Sequence, residues 1–355
     1  MKITGYLVTA SACGALLLFC LTELSYGQAS KTKIIRFARD DTKQNVEVYA
    51  GEKLFTVYRY PSDKEKPFLF PVYAPDGTVV TRGWPIEPRK GERTDHPHQF
   101  GLWFTYGNIN KLDFWGNSSA IPQNQKDAYG HIVLRNIVKA EGGQTGTLEV
   151  IADWLDNKGN QVLEEHTMYI FSGDETSGTI DHITTLTARN GPVTFGDTKE
   201  GFFAIRVDRV LEMPSNEKST YIDDKGNPTT VEAIDNTGVT GMYTSSGGLK
   251  GDAVWGTRNE WIYLNGTKNN VPISLAIFDH PKNPGFPSYF HARGYGLFSI
   301  NNLGQNGYDA NQPKRVTTLK KGESITLRHR FYVQSGSQLN PDKATQIFND
   351  FTNKY

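Results

Sequence analysis

Short runs of β-branched and aromatic residues, separated by turn residues, recur along most of this chain and constrain its fold more than any other feature. Such runs cover residues 34–38, 46–49, 54–58, 147–151, 168–171, 178–188 and 323–333. In the last run, Ile325, Leu327 and Phe331 fall on one face of an extended chain, and the residues between them are mostly polar. The pattern predicts an all-β fold, a large sandwich of two antiparallel sheets.

Helical periodicity is rare and is clearest near the C-terminus. Asn340, Pro341 and Asp342 can cap a helix that runs to about Phe351. No internal repeat divides the rest of the chain, and large β architectures often use such a length as one domain. Residues 245–251 are interpreted as a long surface loop, with a domain boundary as the alternative. The sequence therefore predicts one β-sandwich domain over residues 28–355, with a short C-terminal helix.

Residues 1–27 have the pattern of a signal peptide. Lys2 gives a positive start, an apolar stretch runs to about Leu21, and Ser25 and Gly27 are the small residues at positions −3 and −1. The stretch is shorter than the roughly 20 apolar residues that span a bilayer. We expect cleavage after Gly27, no membrane insertion afterwards, and a periplasmic or secreted protein. A permanent membrane anchor is the alternative.

Composition excludes several classes of function. Cys13 and Cys20 both lie in the predicted signal peptide, so the mature chain would have no disulfide and no cysteine-ligated metal. The chain has 38 basic and 38 acidic residues, which argues against nucleic acid as a partner. It has no Walker loop, Rossmann glycine motif, His-Glu-x-x-His or Gly-x-Ser-x-Gly motif, so phosphate, nicotinamide, zincin and serine-hydrolase chemistry are poorly supported.

Residues 93–104 form the first of three polar segments that folding alone does not explain. His96 and His98 flank Pro97, whose fixed φ stiffens the pair. Two imidazoles of this kind suit proton transfer, hydrogen bonding to a polar ligand, or a metal. A metal needs a third ligand that the sequence does not place, so neither a metal nor another cofactor is predicted. The alternative is a turn packed by its aromatic residues.

Residues 195–202 form the second segment. Asp197 and Glu200 lie three residues apart between glycines, and either carboxylate can act as a general base or nucleophile. Lys199 lies between them as an ion-pair partner or substrate contact. A solvated turn is the alternative.

Residues 278–296 contain the third segment, with His280 followed by His291 and Arg293. In an extended chain His291 and Arg293 share a face, which places an acid or donor beside a fixed cation. Neighbouring residues point to opposite faces, so no aspartate–histidine dyad is inferred at Asp279-His280 or at Asp95-His96.

Aromatic residues accompany these segments. Trp103, Trp115 and Tyr295 are candidates for contacts with the C–H face of a sugar, although core packing is the default for any one of them. His329 falls on an apolar strand face and is expected to be a core histidine.

The chain resembles a bacterial family labelled PmoA-like. The matching stretches are residues 95–98, 101–103, 113–115, 196–201, 278–281, 283–284 and 291–298. Gln99 replaces a histidine frequent in that family, and Phe290 replaces a tryptophan. The resemblance implies a β-supersandwich similar to galactose mutarotase, a fold used by epimerases, polysaccharide lyases and glycosidases. The family label suggests methane oxidation, which is rejected as a function. The membrane methane monooxygenase subunit crosses the bilayer several times, whereas the mature chain has no spanning segment.

These observations together predict an exported carbohydrate-active enzyme that cleaves a glycosidic bond, as a hydrolase or a lyase, by acid–base catalysis. Its partner would be an oligo- or polysaccharide. Glu200 or Asp197 would act as base or nucleophile, and Arg293 would bind an anionic or polarised oxygen of the substrate. The proton-transfer residues would be His96, His98, His280 and His291. A non-catalytic carbohydrate-binding protein of the cell envelope, a sugar epimerase and a metal-dependent oxidoreductase remain as alternatives.

Overall fold

Antiparallel strand pairing organises the structure, a computed structural model that describes residues 1–2, 4–5 and 31–355. Residues 31–355 form one compact unit. The rest of the predicted signal peptide, with Cys13 and Cys20, falls outside the described residues.

Strands occupy the chain from residue 35 to residue 335. The first ten are β1 (Ile35–Asp40), β2 (Asn45–Ala50), β3 (Lys53–Arg59), β4 (Phe68–Val72), β5 (Leu102–Tyr106), β6 (His131–Glu141), β7 (Gly146–Leu155), β8 (Gln161–Gly173), β9 (Ser177–Thr187) and β10 (Val193–Phe195). The others are β11 (Gly201–Arg206), β12 (Ser219–Ile222), β13 (Pro228–Val231), β14 (Met242–Ser245), β15 (Arg258–Asn259), β16 (Trp261–Lys268), β17 (Val271–Phe278), β18 (Ser288–Ala292), β19 (Leu297–Asn301), β20 (Thr317–Leu319) and β21 (Ser324–Ser335).

Two large sheets contain most of these strands. One has nine strands in the order β1-β2-β3-β4-β5-β11-β19-β18-β15, and the other has eight in the order β14-β16-β17-β21-β9-β8-β7-β6. Two small sheets pair β10 with β20 and β12 with β13. Buried side chains from both large sheets belong to one hydrophobic cluster. The predicted all-β fold with large antiparallel sheets is therefore confirmed.

Alternating side chains explain why the two large sheets face each other. Along β7, buried and partly exposed residues alternate over all ten positions, so Leu148, Val150 and Trp154 point into the shared core. The same alternation in the 323–333 run places Leu327 and Phe331 in that core. A one-residue shift of either strand would turn these side chains outward, so the pattern also fixes the strand register.

The C-terminal helix, α1 (Pro341–Lys354), is also confirmed and ends three residues beyond the predicted limit. The Asn340 side chain accepts a hydrogen bond from the backbone N–H of Lys343 at 2.9 Å and caps the helix. Ile347, Phe348 and Phe351 pack against the outer face of the eight-stranded sheet. Within the described residues, no helix combines the length and apolarity needed to cross a membrane.

The nine-stranded sheet also buries residues on its outer face. In β5, Phe104 belongs to the shared core and its neighbour Trp103 belongs to a separate aromatic cluster. In β18, Phe290 and Ala292 belong to the shared core, so His291 between them points to the outer face. The candidate site lies on this outer side.

Candidate active site

The three polar segments meet at one open cavity of about 390 Å³. The predicted site residues that line it are His96, His98, Trp115, Lys199, Glu200, His291, Arg293 and Tyr295. Gln99 and Asp113 line it as well. Residues nearly 200 positions apart in sequence thus surround one space large enough for a small ligand.

His291 lies against the cavity with a fixed tautomer. The Arg293 Nε–H donates a hydrogen bond to His291 Nε2 at 3.3 Å. A guanidinium only donates, so Nε2 is the acceptor and the imidazole proton is on Nδ1. Burial, followed by the charge of Arg293, lowers the pKa of His291 to about 3. The ring is therefore neutral at neutral pH.

Glu200 lies beside this imidazole at the edge of the cavity. Its Oε2 lies 3.7 Å from His291 Nδ1, which has no hydrogen-bond partner in the described structure. Burial raises the pKa of Glu200, and Lys199, whose Nζ is 3.9 Å from Oε1, opposes that rise. Because its side chain keeps 28% of its exposure, the carboxyl group is accessible from the cavity. A carboxyl group of this kind can exchange a proton with a bound molecule.

Asp113 is a second carboxyl group at the same cavity. Its Oδ1 accepts hydrogen bonds from the backbone N–H groups of Trp115 and Gly116, both at 2.8 Å. Burial raises its pKa, and its proximity contributes to the raised pKa of Glu200. Sequence reasoning missed Asp113 as a site residue. The available signal was that Asp113 lies two residues before Trp115, which the sequence did identify as a candidate site residue.

His96 contacts Asp95, a pairing that the sequence analysis did not infer. Its Nδ1 lies 3.1 Å from Asp95 Oδ2, in an electrostatic contact rather than an aligned hydrogen bond. His96 has φ 46°, so the chain turns there instead of extending and both side chains lie on the same side. The His96 ring stacks on Tyr295 with centroids 5.1 Å apart and an angle of 8° between the planes.

Two fully buried arginines support this histidine loop. Arg82 and Arg206 both donate to Asp95 Oδ1, at 2.5 and 2.7 Å. Arg82 also donates to the backbone carbonyls of His96 and Gln99, and Arg206 donates to the Gln99 side chain at 2.6 Å. Burial alone would raise the pKa of Asp95. The charge of Arg206, the contact with His96 and the charge of Arg82 together lower that pKa below its usual range. The loop is therefore held by charge-assisted hydrogen bonds from beneath.

His98 is neutral for a similar reason. Burial, followed by the charge of Lys66, lowers the pKa of His98 to about 2. Lys66 is buried, donates to the His98 carbonyl at 2.5 Å, and lies 4.3 Å from the Phe100 ring centroid. The site therefore contains two neutral imidazoles, His98 and His291.

Three predicted site residues do not line this cavity. Asp197 accepts backbone N–H groups of residues 305–307 and 315 and anchors that loop. His280 Nδ1 accepts the Lys282 backbone N–H at 3.1 Å, and its ring packs on Phe351 of α1. Trp103 is buried in the outer aromatic cluster. Their contacts are structural.

The other expected placements can be checked in the same way. His329 is buried, as expected, and its Nε2 is 2.8 Å from Asn302 Oδ1. Among the residues that the structure describes, no three His, Cys, Asp or Glu side chains are grouped so that they could hold a metal ion.

Comparison with known proteins identifies a family model described as "Family of unknown function (DUF6807)", which matches residues 45–349. That description does not include the PmoA-like label, which stays a prediction. No curated protein matches the chain.

Solved structures give distant likenesses. The galactosidase domain of alpha-galactosidase-sucrose kinase is 9% identical with a TM-score of 0.39. The match covers 84% of this chain, and this chain spans only 42% of the length of that one. A galactose mutarotase-like protein from Clostridium acetobutylicum is 11% identical with a TM-score of 0.30, covering 84% of this chain and 98% of that one. A galactose mutarotase-like protein from Lactobacillus casei ATCC 334 is 11% identical with a TM-score of 0.30, covering 85% and 99%.

Proposed function

Since this chain belongs to DUF6807, a family of unknown function, we propose its function from its own site: it is a carbohydrate-active enzyme that cleaves a glycosidic bond by acid–base catalysis. The observation that carries the proposal is the pairing of Glu200 with a neutral His291 across 3.7 Å at an open polar cavity.

The cavity is chemically suited to a sugar. It presents carboxyl groups, imidazoles, the Gln99 amide and the Arg293 guanidinium, so donors and acceptors face the same space. Sugar hydroxyls need both kinds of partner. The stacked rings of His96 and Tyr295 add a flat surface for the C–H face of a sugar ring.

Glu200 is the proposed proton carrier. Its raised pKa favours a protonated carboxyl that gives its proton to the glycosidic oxygen as the bond to carbon breaks. In hydrolysis, water then attacks the anomeric carbon and its proton passes to a second carboxylate, for which Asp113 is the candidate at this cavity. In elimination, a base at the site instead removes a ring C–H proton, and the new double bond forms as the oxygen leaves.

The two neutral imidazoles and Arg293 assist in either reaction. The Nδ1–H of His291 is buried beside Glu200 and stabilises the ionised carboxylate once its proton has left, and Nε2 is already occupied by Arg293. The Arg293 guanidinium lies 4.5 Å from the Trp255 ring centroid, which helps to hold it in place beside the cavity. A fixed cation there stabilises negative charge that develops on a substrate oxygen.

Product mass tests the proposal. The purified protein would be incubated with plant, algal and host glycans, with the Glu200→Gln variant as the matched control. Products that contain added water indicate hydrolysis, an unsaturated end indicates elimination, and unchanged mass with altered configuration indicates epimerisation. A folded protein that binds a glycan but changes none of them would be a binding protein, and the proposal would be rejected.

We also propose that the protein is exported, from the signal-peptide pattern of residues 1–27. N-terminal sequencing of the protein from the producing cells should begin at Gln28. A start at Met1 would contradict export by this route.

A further inference from the structure

A second cavity, of about 500 Å³, adjoins the candidate site. It shares His96 and Tyr295 with the first cavity, so the stacked pair forms a common wall between the two spaces. Each volume lies within the range of roughly 300–1,000 Å³ that small-ligand pockets occupy. A molecule that extends past this pair would therefore contact both cavities.

The hairpin of β12 and β13 forms the outer wall of the second cavity. Backbone hydrogen bonds join it to the segment before His96: Thr94 N–H donates to the Thr220 carbonyl at 2.9 Å, and Ile222 N–H donates to the Glu92 carbonyl at 2.9 Å. Gly91 N–H donates to the Ile222 carbonyl at 2.8 Å. The hairpin is thus paired with the start of the histidine loop, which fixes its distance from the site.

The hairpin side chains that line the cavity carry hydroxyl groups, and Glu217 and Lys218 line it just before the hairpin. Thr220 and Thr230 lie opposite each other on the two strands, with their Oγ1 atoms 2.7 Å apart. Ser219 Oγ accepts a hydrogen bond from Arg93 Nη1 at 2.8 Å. Hydroxyls both donate and accept, so this wall suits the hydroxyl groups of a sugar.

Arg93 helps to build the second cavity by holding Ser219 in place. It lines the cavity, is 4% exposed, and its Nε donates to Glu212 at 2.8 Å. Its Nη2 has no hydrogen-bond partner in the described structure. This nitrogen is buried and does not reach the cavity, so Arg93 acts there through the Ser219 hydroxyl that it binds.

We propose that the second cavity is a sugar subsite, and that the substrate is an oligosaccharide or polysaccharide chain that crosses the His96–Tyr295 pair. This inference rests on the proposed function. One sugar lies beside Glu200 and His291, and the next lies against the hydroxyl wall of the hairpin. The linkage between these two sugars passes beside the His96 ring, which lies on the wall that both cavities share, and the bond that is cleaved is the one whose oxygen lies at Glu200.

The test uses oligosaccharides of two to six units prepared from whichever glycan the protein degrades. For the unaltered protein, kcat/KM should rise about tenfold or more from the shortest oligomer to the longest. In the Thr220→Val, Thr230→Val double variant, kcat/KM should fall by roughly 3- to 10-fold, as expected for lost hydrogen bonds, with the larger loss on the longer oligomers.

The matched control is Thr229→Val on the same hairpin. Thr229 donates to Asp223 at 2.9 Å and lines neither cavity, so this variant should keep the length dependence of the unaltered protein. If kcat/KM is independent of length, or if the double variant matches the control, the subsite is rejected while glycoside cleavage stands. If no glycan is degraded at all, both proposals are rejected.

Discussion

Arg293 donates its Nε–H to Nε2 of His291 and so determines which imidazole nitrogen faces Glu200. Without this donor, either tautomer of a neutral imidazole is available. With it, the proton is held on Nδ1, 3.7 Å from the Glu200 carboxyl. The same guanidinium lowers the pKa of His291, although burial is the larger cause. Arg293 therefore sets both the orientation and the charge of this histidine.

We predict that Arg293→Gln raises the pKa of His291 above its present value of about 3, because a positive neighbour is removed. If catalysis requires neutral His291, the acidic limb of the kcat/KM profile should move to higher pH. NMR titration of the imidazole gives the pKa directly. Arg258→Gln is the control, since Arg258 lies over Tyr289 in a similar stacked geometry outside the cavity. An unchanged pKa in Arg293→Gln would contradict this account.

We predict that Glu200→Gln lowers kcat by about 10²- to 10⁴-fold and changes ligand affinity by only a few-fold. The amide keeps the shape of the side chain but cannot carry the proton. Calorimetric binding and product formation should be measured on the same glycan. Glu141→Gln, on the exposed end of β6, is the matched control and should behave as the unaltered protein. An equal loss of binding and turnover would make Glu200 a binding residue only.

The strands and α1 were predictable because their signals are local. Alternating apolar residues define a strand from its own sequence, as at Ile325 and Leu327, and Asn340-Pro341 defines a helix start. The three polar segments were also found, because clustered histidines, carboxylates and aromatics exceed what a turn needs.

Contacts over long sequence separation could not be read in this way. Arg206 lies 111 residues from its partner Asp95, and nothing local indicates that both Arg206 and Arg82 are buried beneath one loop. Asp197 carries a carboxylate in the same segment as Glu200, yet it accepts hydrogen bonds from backbone N–H groups of a distant loop. The His96–Asp95 contact depends on a left-handed turn at His96, which the extended reading did not foresee.

We predict that Arg82→Met lowers the free energy of unfolding by about 3–5 kcal/mol, because it breaks a buried ion pair and leaves buried carbonyls without donors. Chemical denaturation measures the change. Arg36→Met is the control: Arg36 pairs with Glu52 at the surface, and its removal should change stability by about 0.5 kcal/mol or less. Equal effects of the two substitutions would show that Arg82 does not stabilise the loop.

The last prediction concerns acid stability and His182, a core histidine outside the site. Burial lowers its pKa to about 3, against about 6.5 in an unfolded chain. Between these values the unfolded state binds a proton that the folded state does not, so stability falls as pH falls from about 6.5 towards 3.

One such histidine contributes a slope of about 1.4 kcal/mol per pH unit to the free energy of unfolding. Denaturant unfolding at pH 7, 6 and 5 measures the total slope, to which the lowered pKa values of His98 and His291 also contribute, and His182→Gln should reduce it by the share of one histidine. Thr184→Val removes the hydroxyl 2.9 Å from His182 Nε2 and should lower stability at every pH without removing the slope. If the slope for His182→Gln equals that of the unaltered protein, His182 does not contribute to the acid sensitivity.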